Sequence, residues 1–200
     1  MDINAVKESL IKKGYSVEHF KTRKEAADYI ADSLSQKTIG FGGSVTLDEM
    51  GLYERLSENN TVIWHWRPNE NETSADLITK ARQAEIYMTS VNAMSQDGEV
   101  VNIDGTGNRV SAMIYGHEKV YFVLSTDKIA PDCDSAISRA RNVASPLNAK
   151  RLNKATPCVK GGKCFDCKSP QRICRVLSVF WEKPTGCDYE VILIDEKSGY

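Results

Sequence analysis

Apolar and polar positions divide the 200-residue chain into helices and strands that take turns almost to its end. Ile3, Val6, Leu10 and Ile11 recur at helical spacing over residues 2 to 13, with Gly14 as a stop. A second helix over residues 22 to 35 opens on Thr22 with Glu25 three positions on, the pattern of a capping box. Lys37 to Phe41 reads as a short buried strand that runs through Gly42-Gly43-Ser44-Val45-Thr46 into a helical period from Leu47 to Glu58. Thr61 to Trp66 predicts a strand, Ser74 to Gln83 a helix, and Ala84 to Val91 a strand. Asp97-Gly98 between apolar alternations predicts a hairpin within residues 92 to 103. A helix at Arg109 to Tyr115, a strand at Lys119 to Leu124, a helix at Asp132 to Asn142 and a strand at Tyr189 to Ile194 complete the pattern. Such alternation predicts an α/β fold, a mostly parallel sheet with helices on both faces. It does not say whether Ile192-Leu193-Ile194 is a central or an edge strand.

One domain spanning residues 1 to 200 is expected at this length, large enough to bury a core without disulfides. No run approaches about eighteen apolar residues, and Met1 to Ala5 shows no basic stretch leading into an apolar one, so a cytoplasmic protein with no membrane contact is expected. The net charge of -1 hides an asymmetry: Lys150 to Lys183 holds nine Lys or Arg against Asp166 and Glu182 alone. That excess implies a local anion. Nucleic acid is disfavoured, because Trp64, Trp66 and Trp181 form no basic-aromatic stripe and read as packing residues.

The basic stretch contains a compact cysteine-rich segment, about 155 to 175, that breaks the strand-helix rhythm. Cys158, Cys164, Cys167 and Cys174 are spaced C-x5-C-x2-C-x6-C. In a reducing compartment close cysteines point to metal binding or redox chemistry before disulfides. Zinc modules usually present two close pairs, whereas cubane clusters accept irregular spacing with a nearby proline, here Pro157 and Pro170. The order of expectation is therefore a 4Fe–4S cluster, then structural zinc, then free or redox-switching thiols. Cys133, after Pro131-Asp132, is expected at a helix start where its thiol pKa could fall, and Cys187 in a loop or at a strand edge. His65, between Trp64 and Trp66, is expected to face opposite them in a structural role, while His19 and His117 read as surface residues.

Two loops carry candidate chemistry. Gly42, Gly43, Ser44 and Thr46 lie where a parallel strand delivers the chain to a helix, so backbone N–H groups and two hydroxyls could hold a phosphate or carboxylate. The loop matches neither the P-loop nor the full dinucleotide fingerprint, and a tight turn with Thr46 as helix cap explains the same residues. The second loop, Asn102-Ile103-Asp104-Gly105-Thr106-Gly107-Asn108-Arg109, falls where α/β sheets place their ligand crevice. Asp104 is the candidate general base, with Asn102, Thr106, Asn108 and Arg109 as candidate substrate contacts. Turn chemistry alone, with Asn108 capping a helix, is the competing explanation.

Taken in order, Gly42 to Thr46, Val91-Asn92-Ala93 with Asp97-Gly98, and Asn102 to Arg109 resemble the LUD-domain family, also called the lactate utilization protein C-like family. The likeness continues through Ala136-Ile137-Ser138-Arg139, Pro146-Leu147-Asn148-Ala149, Pro157-Cys158 and Cys167 to Cys174, so it covers most of the chain. It implies a fold similar to ribose-5-phosphate isomerase, glucosamine-6-phosphate deaminase and the coenzyme A transferases, in which an anionic substrate lies near an early glycine-rich loop. It also implies a link to L-lactate operons and to iron–sulfur or redox partner proteins. The chain departs from the larger iron–sulfur members: it lacks their ferredoxin-like extension and carries its own cysteine segment. The combined expectation is a protein of organic-acid or redox metabolism that binds a small anionic metabolite between the two loops and has a four-cysteine metal site. The alternative is a non-catalytic assembly or electron-transfer subunit whose four-cysteine site is structural zinc; homo-oligomerisation stays open.

Overall fold

The strand expected at the end of the chain lies inside a six-stranded sheet, one strand in from its edge. In the computed structural model, which describes residues 1–200, the order across this sheet is β1 (Ser16–Phe20), β10 (Asp188–Ile194), β7 (Lys119–Ser125), β4 (Ile86–Thr89), β2 (Thr38–Phe41) and β3 (Thr61–Trp64). Every pairing is parallel. Because side chains alternate along a strand, β7 and β10 feed two cores at once. Tyr121, Val123, Ile192 and Ile194 join one core with α2 (Arg23–Ser33), α3 (Val45–Glu49) and α4 (Leu52–Ser57), through Ala26, Ile30, Leu47, Leu52 and Leu56. Val120, Phe122, Leu124, Val191 and Leu193 join the other with Val6 and Leu10 of α1 (Ile3–Lys12) and Ala112 and Met113 of α6 (Asn108–Ile114). Burial on both faces is what makes these strands near-continuous apolar runs. Each fully buried Leu or Phe contributes about 1.5–3 kcal/mol.

Thr22 and Glu25 form the expected capping box, and α5 (Ser74–Ala81) begins with a second one, Thr73 with Asp76. Helix α5 lies so close to β2 that a Cβ on Gly40 would fall 2.4 Å from the Ala81 carbonyl oxygen, so no larger residue fits there. The hairpin is present as β5 (Ala93–Ser95) and β6 (Val100–Asp104), with Gly98 at φ +91°. It belongs to a second sheet in the order β8 (Ile129–Ala130), β5, β6, β9 (Val176–Phe180), packed on α7 (Cys133–Arg139) through Ala93, Val101, Ala136 and Ala140.

Several boundaries differ from the pattern-based reading. The helix expected over 47 to 58 is broken at Gly51, whose φ of +62° cannot continue it. The strand expected to reach Trp66 stops at Trp64, where the Arg67 N–H closes a turn onto the Trp64 carbonyl. The helix of 132 to 142 runs on through a π turn (Ala140–Ala144) into α8 (Ser145–Arg151). Strands β1 and β9 were not foreseen: β1 is a polar edge strand, and β9 follows directly on the cysteine segment, whose sole helix is the short α9 (Pro157–Gly161).

His117 is a correction. It is buried, its Nδ1 lies 2.7 Å from the Ala84 carbonyl, and its ring stacks on Tyr87 at 5.0 Å. Trp181 is another, being 74% exposed, while Trp64 does pack in the core. Cys133 does sit at a helix start, but burial and the carboxylates of Glu99, Asp134 and Asp132 push its thiol pKa up. No helix is long and apolar enough to cross a membrane.

Candidate functional site

The carboxyl ends of β2, β3, β4, β7 and β10 open together into a cleft of about 620 Å³, the side on which parallel α/β sheets hold ligands. Its floor comes from the first loop. The Ser44 hydroxyl caps α3 by accepting from the Leu47 N–H at 3.2 Å, so Ser44, not Thr46, is the cap. That frees the buried Thr46 hydroxyl to interact with Ser90 Oγ at 3.2 Å and with the Ser198 carbonyl at 3.4 Å. Gly42 lies beneath the floor, where a Cβ would meet Thr89 Oγ1 at 2.7 Å and the Tyr87 hydroxyl at 2.8 Å, while Gly43 borders the rings of His65 and Trp66.

Asp104, Thr106, Asn108 and Arg109 line the same cleft, so the two loops meet as expected. The Asp104 carboxylate accepts four backbone N–H groups, from Thr106 (3.1 Å), Gly107 (3.0 Å), Arg109 (3.1 Å) and Val110 (3.2 Å). Both oxygens are thereby committed to shaping the turn and starting α6, with Gly107 at its N-cap in place of Asn108. The base role expected of Asp104 gains no support from this occupancy. Arg109 is a clamp: its guanidinium donates to Ser90 O (2.9 Å), Asn102 Oδ1 (2.9 Å), Asn92 Oδ1 (3.1 Å) and Ile103 O (2.9 Å). No carboxylate lies within ion-pairing distance of it, and burial pushes its pKa down. Asn102 is fully buried and serves this clamp from behind, outside the cleft wall.

The cysteine segment supplies the facing wall, through Pro170, Gln171, Arg172, Ile173 and Arg175. It docks on the second loop: the Arg175 N–H donates to the Asp104 carbonyl at 2.9 Å, and a Cβ on Gly105 would lie 2.7 Å from the Ile173 carbonyl oxygen. Arg172 stitches this wall together, donating to the carbonyls of Cys174 and Cys167 at 2.8 Å each and pairing with Asp166 at 3.2 Å. The four cysteines are all partly buried and free. Cys158 Sγ lies 3.2 Å from the Thr156 hydroxyl, and Cys164 Sγ accepts from the Asp166 N–H at 3.3 Å and from Arg141 at 3.7 Å. Nowhere do three or more His, Cys, Asp or Glu side chains gather in an arrangement that could hold a metal. The expected ligand set of Cys158, Cys164, Cys167 and Cys174 is thus not brought together.

Several cleft residues escaped the sequence reading. His65 lines it beside Trp66, because the chain turns at Trp64; burial lowers the His65 pKa. Arg151 lies 4.7 Å above the Trp66 ring and donates to Asn148 Oδ1 (3.1 Å) and the Tyr200 hydroxyl (2.8 Å). Lys128, from the turn after β7, is 2% exposed and sits on the floor. The motif residues Arg139 and Asn148 carried a partial signal, and Arg139 anchors the floor by donating to the Asn92 carbonyl at 2.7 Å. Charge in the cleft is one-sided: Arg109, Lys128, Arg151, Lys154, Arg172 and Arg175 against Asp104.

The fold has a solved counterpart. A crystal structure of a DUF162 family protein from Deinococcus radiodurans is similar with a TM-score of 0.54 at 12% identity, covering 96% of this chain and 95% of that one. A search of curated proteins gives no match. The model of the LUD domain matches residues 3–194, and the chain belongs to the LUD-domain family.

Proposed function

We propose that the cleft binds a small anionic metabolite, a carboxylate or phosphate, and that the chain serves organic-acid utilisation of the lactate type. The observation that carries this reading is the charge imbalance: five Arg or Lys side chains besides the buried Lys128 line the cleft, and its one acid, Asp104, already accepts four backbone N–H groups. Arg151 and Arg175 have no carboxylate partner, and Arg172 has only the exposed Asp166. An anion entering between Ser44, Arg151 and Arg172 would gain charge-assisted hydrogen bonds in a partly desolvated site. The lactate-type role rests on family membership.

Calorimetric titration with lactate, pyruvate and inorganic phosphate tests the reading. Binding of at least one is expected, with Arg151→Ala and Arg172→Ala each weakening it roughly tenfold, about 1.4 kcal/mol. Absence of binding by all three at millimolar concentration contradicts it.

A further inference from the structure

We propose that Lys128 is an imine-forming amine, which adds to the carbonyl carbon of a small anionic aldehyde or 2-oxo acid held in the cleft. The proposal rests on the anion-binding reading and names the substrate class of the same site. Its basis is the hydrogen bonding around Nζ. Lys128 donates to Thr46 Oγ1 at 2.9 Å and to Ser90 Oγ at 3.1 Å, and to nothing else. Both hydroxyls have outlets for their own protons, Thr46 toward the Ser198 carbonyl at 3.4 Å and Ser90 toward the Val91 carbonyl at 3.5 Å, so both can accept from the amine. A neutral amine has two N–H donors and one lone pair. Two acceptors satisfy the donors and leave the lone pair unclaimed beside the cleft.

The surroundings favour that neutral form. Arg109 on α6 and Arg139 on α7 bear on the amine with like charge, while the two nearest carboxylates are engaged elsewhere. Asp127 in the preceding turn pairs with Arg139 and accepts from Ser125, and Glu49 on α3 faces Arg23 and Ser198. Burying an ammonium without a counter-ion is costly, and a group so placed sheds its proton instead. Burial, with Arg139 as the next cause, pulls the Lys128 pKa down to about 7. Gly199 packs directly on this cluster: its φ is +63°, and a Cβ there would lie 2.6 Å from Thr46 Oγ1 and 3.1 Å from Lys128 Nζ, so only glycine leaves room for the amine.

In the step itself the Lys128 lone pair forms the C–N bond, and the carbonyl π pair moves to oxygen, which takes up a proton. One N–H proton of the amine balances the proton gained by oxygen, and the second leaves with the hydroxyl as water, giving the C=N bond of the imine. Oxidant and reductant are not needed. The cations that hold the carboxylate or phosphate of the substrate, Arg151 and Arg172, remain in place as its carbonyl carbon is converted.

The full chain, incubated at pH 7 with glyoxylate and cyanoborohydride and then peptide-mapped by mass spectrometry, tests this. At that pH an ordinary lysine is free amine only to roughly one part in a few thousand, so Lys128 should acquire the carboxymethyl adduct more than about tenfold faster than the exposed Lys168. The adduct at position 128 should vanish in Lys128→Arg, while Lys168 is labelled at its wild-type rate. Calorimetric binding of glyoxylate with no preference for Lys128 over Lys168 in the wild-type map overturns the imine proposal and leaves the anion reading standing. Failure of both glyoxylate and phosphate to bind removes the anion reading and this proposal with it.

Discussion

Two stretches of chain meet across the cleft and are built in opposite ways. Residues 102 to 109 are densely tied: one carboxylate holds four N–H groups and one guanidinium holds four acceptors, although Asn102 Nδ2 is buried without a partner. Residues 155 to 175 contain one five-residue helix without a side-chain cap and are held by scattered single contacts, of which Arg172 makes the most by tying residues 166, 167 and 174 together, with Arg141, Asn142 and Gln171 adding others. A dense network fixes a surface, whereas a sparse one opens locally at small cost. The difference is in how firmly each wall of the cleft is held.

The comparison breaks most severely at Arg109. Arg109→Ala would orphan four acceptors around Ser90, Asn92, Asn102 and Ile103, and a loss of about 3–5 kcal/mol is expected in urea unfolding. Gly42→Ala, which drives a methyl group toward Thr89 and Tyr87, is expected to cost about 1–3 kcal/mol in the same assay.

Lys128 sharpens the contrast through pH. Its folded pKa, about 7, lies below the value near about 10.4 of an unfolded lysine, so between the two the unfolded chain binds more protons and stability rises with pH. Urea midpoints from pH 7 to 9 should climb, by at most about 1.4 kcal/mol per pH unit from this one group, and Lys128→Met should remove that part of the slope. Arg172→Ala has the smallest expected effect on stability, below about 1 kcal/mol, because its ion pair is solvent-facing. Limited proteolysis within 155 to 175 should nevertheless accelerate in that variant, and an unchanged cleavage pattern would show that the wall does not depend on Arg172.

The same contrast explains what could be read from the sequence. Strands buried on both faces, such as Val120 to Leu124 and Val191 to Ile194, announce themselves as apolar runs, and Asp97-Gly98 announces its hairpin, because local physics alone fixes them. Both polar loops were visible for the same reason, being dense in turn residues. The roles within them were less so: Asp104 and Arg109 look like a base and a substrate clamp until the backbone N–H groups and the Ser90, Asn92 and Ile103 partners are placed in space. Lys128 gave no signal, since Thr126-Asp127-Lys128 reads as a polar turn and its burial comes from Thr46, Ser90 and Gly199, all more than thirty residues away. His65 lies beside Trp66, not opposite it, because strand alternation ends at the turn at Trp64. The cysteine spacing suggested convergence, but close spacing in sequence does not require it, and here the segment is laid along the cleft with Ile173 and Arg175 against the second loop.

The central claim is that the cleft is an anion site, and titration of the isotopically labelled chain with inorganic phosphate, followed through backbone amide shifts, tests it most directly. The account expects saturable shifts at Ser44, Thr46, Thr106 and Arg172, with none at Lys37 or Glu85 at the other end of the strands. Shifts scattered over the surface lysines between Lys150 and Lys183 and abolished by moderate salt, or no saturable shift at all, would contradict it.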